Sequence, residues 1–246
     1  MKPEIYIAMM SAQKILDNQG ILANNLANAS TIGFKSELLS RSIVSDNKNY
    51  EQNTYLSHAQ YDQTQGLFKH TMQPLDFSIK DENGWLMVTR ENNSIAYTKN
   101  GHLKINEKRQ LTSQNNIVMG ERGPIIIPKY SNIRILSDGT IKIIQDNAKI
   151  DKKLDKIKLV NIDIKDLLYS DSGLYCTNNK TIVDSILKNH YNVKIIPETL
   201  EDSNVNLSEN IVNMISDARK FDIQMKLLSH YDENAQLINK FLNINN

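Results

Sequence analysis

The side chains that could bind a metal or perform catalysis are scattered along this sequence. The histidines form no pair at the spacing of metal ligands on a helix and have no partner cysteines. They are His58, His70, His102, His190 and His230. The sequence contains no G-x-S-x-G nucleophile motif, no phosphate-binding loop and no dinucleotide-binding fingerprint. We therefore expect no catalytic residue, no metal and no cofactor.

A few further residues invite a chemical interpretation, but each has a structural explanation. Asp76, Asp138 and Asp163 could form a carboxylate set for acid–base chemistry, yet each stands at a predicted strand end or turn, where aspartate is common. Cys176 lies in a predicted strand and is interpreted as a packed side chain rather than a reactive thiol. Trp85 opens a strand after a turn and is interpreted as core rather than as a stacking platform for a sugar or base.

Charge and hydropathy exclude several classes of partner. The chain has 246 residues, 29 basic and 28 acidic, and a net charge of +1, which argues against an electrostatic nucleic-acid binder. No apolar run approaches the ~18 residues that span a bilayer, so no membrane insertion is expected. The apolar N-terminal stretch is interrupted by Gln13, Lys14 and Asp17 and does not predict a Sec signal peptide.

The longest periodic stretch lies near the C-terminus and predicts a helix over 207–242. Apolar residues recur there at alternating steps of four and three, the a/d pattern of a helix that packs lengthwise on another helix. Asn206 and Glu209 are spaced as a capping box. Additional apolar residues widen the stripe, which predicts several neighbours. The seam consists of Leu207, Ile211, Met214, Ala218, Phe221, Met225 and Leu228.

A second amphipathic helix is predicted over residues 4–28. Its seam residues follow the same spacing, with a polar break at Gln19. One interpretation is an ordinary core helix, and the other is that the two terminal helices pair with each other. The seam residues are Ile5, Met9, Ala12, Leu16, Ala23 and Leu26.

A specific string follows the first helix and carries a family resemblance. It reads Asn24-Asn25-Leu26-Ala27-Asn28-Ala29-Ser30-Thr31-Ile32-Gly33-Phe34-Lys35. Taken alone, it predicts the end of a helix and a turn with a glycine at positive φ. As a whole it closely resembles the N-terminal signature of the flagellar axial proteins of the rod and hook, which have an Asn-Asn-Leu-Ala-Asn core and a Gly-Phe-Lys or Gly-Phe-Arg end. The stretch 200–206, with Ser203, Asn204, Val205 and Asn206, resembles that family's Leu-Glu-x-Ser-Asn-Val-Asn signature.

Short strands and turns between the two ends predict an all-β domain. Strands are expected on both sides of an Asn100-Gly101 turn, and a hairpin around Asp138-Gly139. The order of the pieces resembles the same family, although the turn at 107–109 lacks the glycine often found there. The resembling landmarks are Pro74-Leu75-Asp76, Asn83-Gly84-Trp85-Leu86, Tyr97-Thr98-Lys99-Asn100-Gly101, Gly123-Pro124-Ile125 and Asp138-Gly139-Thr140-Ile141.

These observations predict an α+β protein with coiled-coil-like pairing of the N- and C-terminal helices and a central all-β domain. We expect the N-terminal part of the helical domain at 1–35, a linker or assembly-contact segment at 36–70, the β domain at 71–199 and the C-terminal helix at 200–246. The segment 36–70 has weak periodicity and predicts no regular element. Its polar part, 45–53, is interpreted as a loop or as an element ordered only in an assembly.

The resemblance implies a structural subunit that polymerises through its terminal helices into a drive shaft across the periplasm. It also implies other rod subunits as partners and export through the flagellar type III apparatus, with no small-molecule substrate. Segments 217–226 and 232–235 resemble the proximal-rod member of the family. The alternatives are a distal-rod or hook-type subunit and, in another class, a secreted enzyme or glycan-binding module with helical ends.

Overall fold

The computed structural model describes residues 3–44, 54–90, 92–129, 131–145, 148–170, 174–177 and 193–244. Within them the protein is α+β, with two long helices and a largely β central region. The chain divides into two compact units. Unit 1 combines 1–29, 37–60 and 205–246, and unit 2 combines 30–36 and 61–204.

Unit 1 is built from the two helices predicted from apolar periodicity. Helix α1 spans Pro3–Ala27 and helix α2 spans Leu207–Ile244. The predicted cap of α2 is confirmed, because the Asn206 side chain accepts a hydrogen bond from the backbone N–H of Glu209 at 3.3 Å. This unit also contains a two-stranded sheet formed by β1 (Glu37–Val44) and β2 (Thr54–Tyr61).

Unit 2 contains the remaining strands, most of them in one nine-stranded sheet. The strands are β3 (Phe68–His70), β4 (Phe77–Ile79), β5 (Gly84–Thr89), β6 (Ile95–Thr98), β7 (Leu103–Ile105), β8 (Leu111–Ser113), β9 (Asn116–Gly120), β10 (Gly123–Pro124), β11 (Ser131–Ile135), β12 (Thr140–Gln145), β13 (Ala148–Lys156), β14 (Leu159–Asn161), β15 (Leu168–Ser170), β16 (Leu174–Cys176), β17 (Ile195–Pro197) and β18 (Thr199–Glu201). Seven strands of the large sheet run in the spatial order β15-β16-β6-β5-β9-β8-β7, while β10 pairs with β9 and β14 with β5. Three smaller sheets among the described residues pair β11-β12-β13, β17-β4 and β18-β3.

Strand β5 is the centre of unit 2, because both of its faces are buried. Leu86 and Val88 point into one apolar cluster, and Trp85 and Met87 point into a second cluster. Successive side chains of a strand point to opposite faces, so the two clusters lie on either side of β5. This explains why β5 reads as a continuous apolar run without polar alternation.

The structure confirms the predicted hairpin around Asp138-Gly139 and the predicted strands on both sides of Asn100-Gly101. The hairpin around Asp138-Gly139 joins β11 to β12, with Gly139 at φ +82°. The strands on either side of Asn100-Gly101 do not pair, because β6 and β7 lie at separate places in the sheet. Gly101 is needed there for a different reason: a Cβ at this position would lie 1.7 Å from the carbonyl oxygen of Phe77.

The segment 36–70, in which the sequence predicts no regular element, contributes strands β1, β2 and β3. Strand β3 pairs with β18, which is remote in sequence, and β1 and β2 are separated by the polar segment 45–53. Local periodicity therefore does not predict these three strands. The interpretation of 45–53 as a loop or an assembly-ordered element falls outside the described residues. The domain boundaries expected from the sequence stay a prediction.

Candidate functional site

The chemistry-bearing residues do not converge on one place. Asp76 accepts a 2.7 Å hydrogen bond from the Thr71 hydroxyl, and its other oxygen lies 2.7 Å from His102 Nδ1. His230 Nδ1 lies 3.4 Å from the carboxylate of Glu233 on the same helix. In the part of the chain that the structure describes, no three histidine, cysteine or carboxylate side chains group in a way that could hold a metal ion. His190 lies outside the described residues.

The other residues considered for chemistry have structural contacts. Trp85 is buried and donates its indole N–H to the carbonyl oxygen of Ile162 at 3.0 Å, so its assignment to the core is confirmed. Asp163 caps a short 3-10 helix, Ile164–Asp166, and Asp138 accepts hydrogen bonds from Thr140 within the hairpin. Those turn bonds outweigh burial and lower the pKa of Asp138.

The first half of the N-terminal signature ties the end of α1 to β1 within unit 1. The amide of the buried Asn25 bonds both backbone groups of Glu37: it donates to the carbonyl at 2.8 Å and accepts from the N–H at 2.8 Å. Asn24 donates to the Glu37 carboxylate at 3.1 Å, and Asn28 donates to the Asn24 backbone carbonyl at 2.9 Å. The asparagines therefore satisfy backbone groups at the point where the helix ends.

The second half of that signature meets the C-terminal signature within unit 2. Lys35 Nζ lies 2.7 Å from Glu201 Oε1 and 2.7 Å from the carbonyl oxygen of Thr64, and both charged side chains are 1% exposed. Glu201 Oε1 also accepts from the N–H of Gly66 at 3.0 Å, whereas Glu201 Oε2 is buried without a hydrogen-bond partner. Two residues 166 positions apart are thus joined by a buried ion pair.

The neighbouring contacts extend this junction along both segments. Gly33 donates its N–H to the Glu201 carbonyl at 2.8 Å, and Asn204 Oδ1 accepts from the N–H of Ser36 at 2.7 Å. The Asn204 amide also donates to the carbonyl oxygens of Asp62 and Thr64. We name the set Gly33, Lys35, Ser36, Thr64, Gly66, Glu201 and Asn204 the signature junction.

Lys99 lies against the signature junction and is electrostatically coupled to it. A Cβ on Gly33, which has φ +68°, would lie 2.8 Å from the carbonyl carbon of Lys99. The Lys99 ammonium donates to the Glu82 carbonyl at 2.5 Å and sits 5.2 Å from the centre of the Trp85 ring. Burial, followed by the charge of Lys35, lowers the pKa of Lys99 from 10.5 to about 8.

The two terminal helices contact each other through polar groups in unit 1. Gln224 of α2 donates to the carbonyl oxygen of Ala8 at 3.2 Å, and Asn18 of α1 donates to the Asp217 carboxylate. Position 8 therefore faces 224 and position 18 faces 217, so the helices run antiparallel. Lys220 lies 2.9 Å from the second oxygen of Asp217. These two bonds overcome the effect of burial and lower the pKa of Asp217.

Burial separates the predicted helix seam into two columns. On α2 the less exposed column has steps of four and three residues and includes Met214, Phe221 and Leu228 of the seam. Its members are Asn210, Met214, Asp217, Phe221, Gln224 and Leu228. On α1 the less exposed column is Ala8, Ala12, Ile15, Gln19 and Leu22, so Ala12 is buried as a seam residue and Leu26 is half-buried.

The other column of each seam is exposed. Met9 and Leu16 on α1 and Ile211 and Met225 on α2 are 41–53% exposed, and Leu207 is 50% exposed. Ile5 lies in α1, but its side chain is outside the described set. More apolar side chains beside the column are also exposed, namely Ile7 and Met10 on α1 and Val212, Ile215, Ile223 and Leu227 on α2. Neither described helix is long and apolar enough to cross a membrane.

Two family models match this chain, and both describe axial proteins of the flagellum. Residues 81–143 match the D1 domain of the flagellar hook protein FlgE/F/G, and residues 196–241 match the C-terminal region of the flagellar basal body rod FlgEFG proteins. The matched ranges include much of the central sheet and most of α2. The fold and the matched sequence ranges together place this chain in the class of flagellar rod and hook proteins.

Similarity to full-length relatives identifies the family within this class. The chain is 47% identical over 238 residues to the flagellar basal-body rod protein FlgF of Buchnera aphidicola subsp. Baizongia pistaciae, covering 96% of each chain. It is 34% identical to FlgF of Salmonella typhimurium over 98% of each chain, and 29% identical to the rod protein FlgG of the first bacterium. The chain belongs to the family of the flagellar basal-body rod protein FlgF.

Membership in this family decides between the classes considered from the sequence. The family consists of structural rod proteins and is not an enzyme family. Of the alternative interpretations in another class, the secreted enzyme is therefore wrong. The sequence patterns identify the signature residues but not their partners Glu37, Thr64 and Lys99, which become neighbours only through the fold.

Proposed function

We propose that this protein is a structural subunit of the proximal flagellar rod and that it polymerises through its terminal helices. The observation that carries the proposal is the exposed apolar column on both helices, which includes Met9, Leu16, Ile211 and Met225. Burying a fully exposed side chain of this kind stabilises by about 1.5–3 kcal/mol, and these side chains are 41–53% exposed, so each gains roughly half of that. Each subunit therefore gains when neighbouring helices cover the column.

The geometry of the helices supports a polymer rather than a closed pair. The less exposed columns of α1 and α2 carry the contacts within one chain, in coiled-coil-like pairing, and the exposed columns lie beside them. A contact between two different surfaces adds subunits in one direction, and such contacts form helical filaments when the rotation does not close. The assembled rod is then a tube of helices with unit 2 of each subunit attached through the signature segments.

The signature residues have a separate role in this proposal. Asn24, Asn25 and Asn28 hold the end of α1, while Lys35 and Asn204 hold the two segments that enter unit 2. The helical domain is then formed by 1–35 and 200–246, the assembly-contact segment by 36–70 and the β domain by 71–199. The signature keeps the helices in place and does not itself bind a neighbour.

The proposal includes the route and the destination of the protein. The rod lies in the periplasm, and the chain reaches it through the flagellar type III export apparatus without a Sec signal. Full-length similarity to FlgF supports the proximal position, since identity to FlgG is lower. Deleting a core component of the flagellar exporter should retain the protein in the cytoplasm. Continued export after that deletion, combined with arrest on blocking Sec, would exclude this route.

A substitution in the exposed column tests the assembly mechanism. Met225→Asp places a charge at a position that assembly buries, which should weaken assembly by several kcal/mol and abolish motility. Asn234→Asp is the matched control, because it makes the same change of charge at an exposed polar position on the opposite face of α2. Purified Met225→Asp should retain the Trp85 emission and helical circular dichroism of the parent. Normal basal bodies in cells carrying Met225→Asp would refute assembly through this column.

A further inference from the structure

Asp217 is the charged residue in the less exposed column of α2, and it is also the most buried member of that column. It stands between Met214 and Phe221 and is 6% exposed, although the helix as a whole is largely accessible. Its carboxylate is bonded by Asn18 from α1 and by Lys220 from its own helix. An acidic group on the contact face of a helix pair is stable only where donors meet it, since an unpaired buried charge is strongly destabilising.

We propose that Asp217 and Asn18 set the register of α2 against α1, so that α2 accepts only a helix bringing a free hydrogen-bond donor to Asp217. The proposal rests on the pairing of the terminal helices put forward above and adds the residues that determine its specificity. A polar pair at one position of a helix seam selects register because displaced arrangements leave it without partners. Apolar seam residues cannot do this, since they repeat every heptad and tolerate a slip.

A slip of α1 by one heptad toward the C-terminus of α2 shows how the selection works; the opposite slip would bring the Ser11 hydroxyl, which is also a donor, to Asp217. If Ala8 moved from Gln224 to Tyr231, Asn25 would take the place of Asn18 opposite Asp217. The amide of Asn25 is already used, because both of its polar atoms bond the backbone of Glu37. Asp217 would then keep only Lys220, whose side chain is largely exposed. Apolar contacts would survive the slip, but the carboxylate would lose its interhelical donor.

The test measures register directly by cross-linking in the full-length protein. Cys176, the only cysteine, is replaced by serine, and Ala8→Cys is combined with either Gln224→Cys or Tyr231→Cys. A short bismaleimide is added to dilute protein, and the ratio of 8–224 to 8–231 product is measured. A heptad slip moves the partner by about 10 Å along the axis, so the two products report different registers.

The parent should strongly favour the 8–224 product. Asn18→Leu with Asp217→Leu should lower the ratio about tenfold, the factor expected from losing a hydrogen bond to a charged group. Gln13→Leu with Asp222→Leu makes similar changes at exposed positions and should leave the ratio unchanged. Asn18→Asp, which places two carboxylates together, should lower the ratio, and its exchange partner Asn18→Asp with Asp217→Asn should restore it.

Two kinds of outcome would overturn different statements. A ratio that is the same in the parent and in Asn18→Leu with Asp217→Leu, or an exchange variant as defective as Asn18→Asp, would refute the role of Asp217 in register. Absence of any 8–224 product in the parent would refute the pairing on which the inference rests. Neither outcome bears on whether the protein is found in the rod, which is measured in cells.

Discussion

Replacing Lys35 removes the only ammonium group of the signature junction and so perturbs the junction most directly. Lys35→Met keeps most of the side-chain volume but leaves Glu201 with only the N–H of Gly66 as a donor. Because both partners of the pair are 1% exposed, water cannot replace the ammonium group. Breaking a buried ion pair in this way costs about 3–5 kcal/mol. Domains of this kind have total stabilities of roughly 5–15 kcal/mol, so the loss is large.

The double variant Lys35→Met with Glu201→Gln isolates the charge effect. The new amide side chain retains an oxygen for the N–H of Gly66 and removes the buried carboxylate, so the double variant should be more stable than Lys35→Met alone. Lys104→Met, at an exposed position on β7, is the control and should change stability by no more than about 0.5 kcal/mol. A second readout is the pKa of Lys99, which should rise in Lys35→Met because the Lys35 charge helps to lower it.

Denaturant titration followed by tryptophan fluorescence is the appropriate assay. Trp85 is the only tryptophan and is buried in unit 2, so its emission reports the unit that contains the junction. The reasoning is refuted if Lys35→Met loses less than about 1 kcal/mol, or if the losses in Lys35→Met and Glu201→Gln simply add in the double variant. Additivity would show that the two groups do not interact.

Three further predictions concern single positions. Gly33→Ala should destabilise unit 2 by more than about 1 kcal/mol in the same titration, because φ is +68° and the new Cβ meets the Lys99 backbone, and wild-type stability would contradict this. Gly20→Ala, with open space around the new methyl, should raise the thermal midpoint followed by helical circular dichroism by an amount corresponding to about 1 kcal/mol; a lowered midpoint would contradict it. Burial lowers the pKa of Lys99 to about 8 in the folded state, compared with 10.5 when unfolded. Between these pH values the unfolded state binds more protons, so the free energy of unfolding should rise by about 2 kcal/mol from pH 8 to 10. Lys99→Met should abolish that rise, and an equal rise in the variant would assign it to other groups.

Local sequence patterns are sufficient to predict both long helices from periodicity, the cap at Asn206 from residue spacing and the hairpin from the Asp138-Gly139 turn. They do not predict which side of the seam lies inside the subunit. A heptad pattern with apolar neighbours fits more than one column, and in the structure Phe221 is half-buried whereas Met225 is exposed. The seam and signature assignments as assembly and family residues stay predictions for the experiments above.

Long-range contacts account for most of what the sequence did not reveal. Lys35 and Glu201 each resemble an ordinary surface charge until the fold joins residues 166 positions apart. The turn at 107–109 lacks the glycine expected from the family resemblance, and Arg109 in that turn adopts φ +64°. Its guanidinium donates to the carbonyl oxygens of Ile127 and Pro128, which holds the turn without a glycine. Such compensation depends on strands that are distant in sequence.

Imaging isolated basal bodies by electron cryo-microscopy tests the proposed function most directly. The rod should contain this chain, with α1 and α2 of one subunit antiparallel and with Asn18 beside Asp217. The exposed column that includes Met9, Leu16, Ile211 and Met225 should be covered by helices of neighbouring subunits. A proximal rod that lacks this chain, or one in which that column faces solvent, would contradict assembly through the terminal helices.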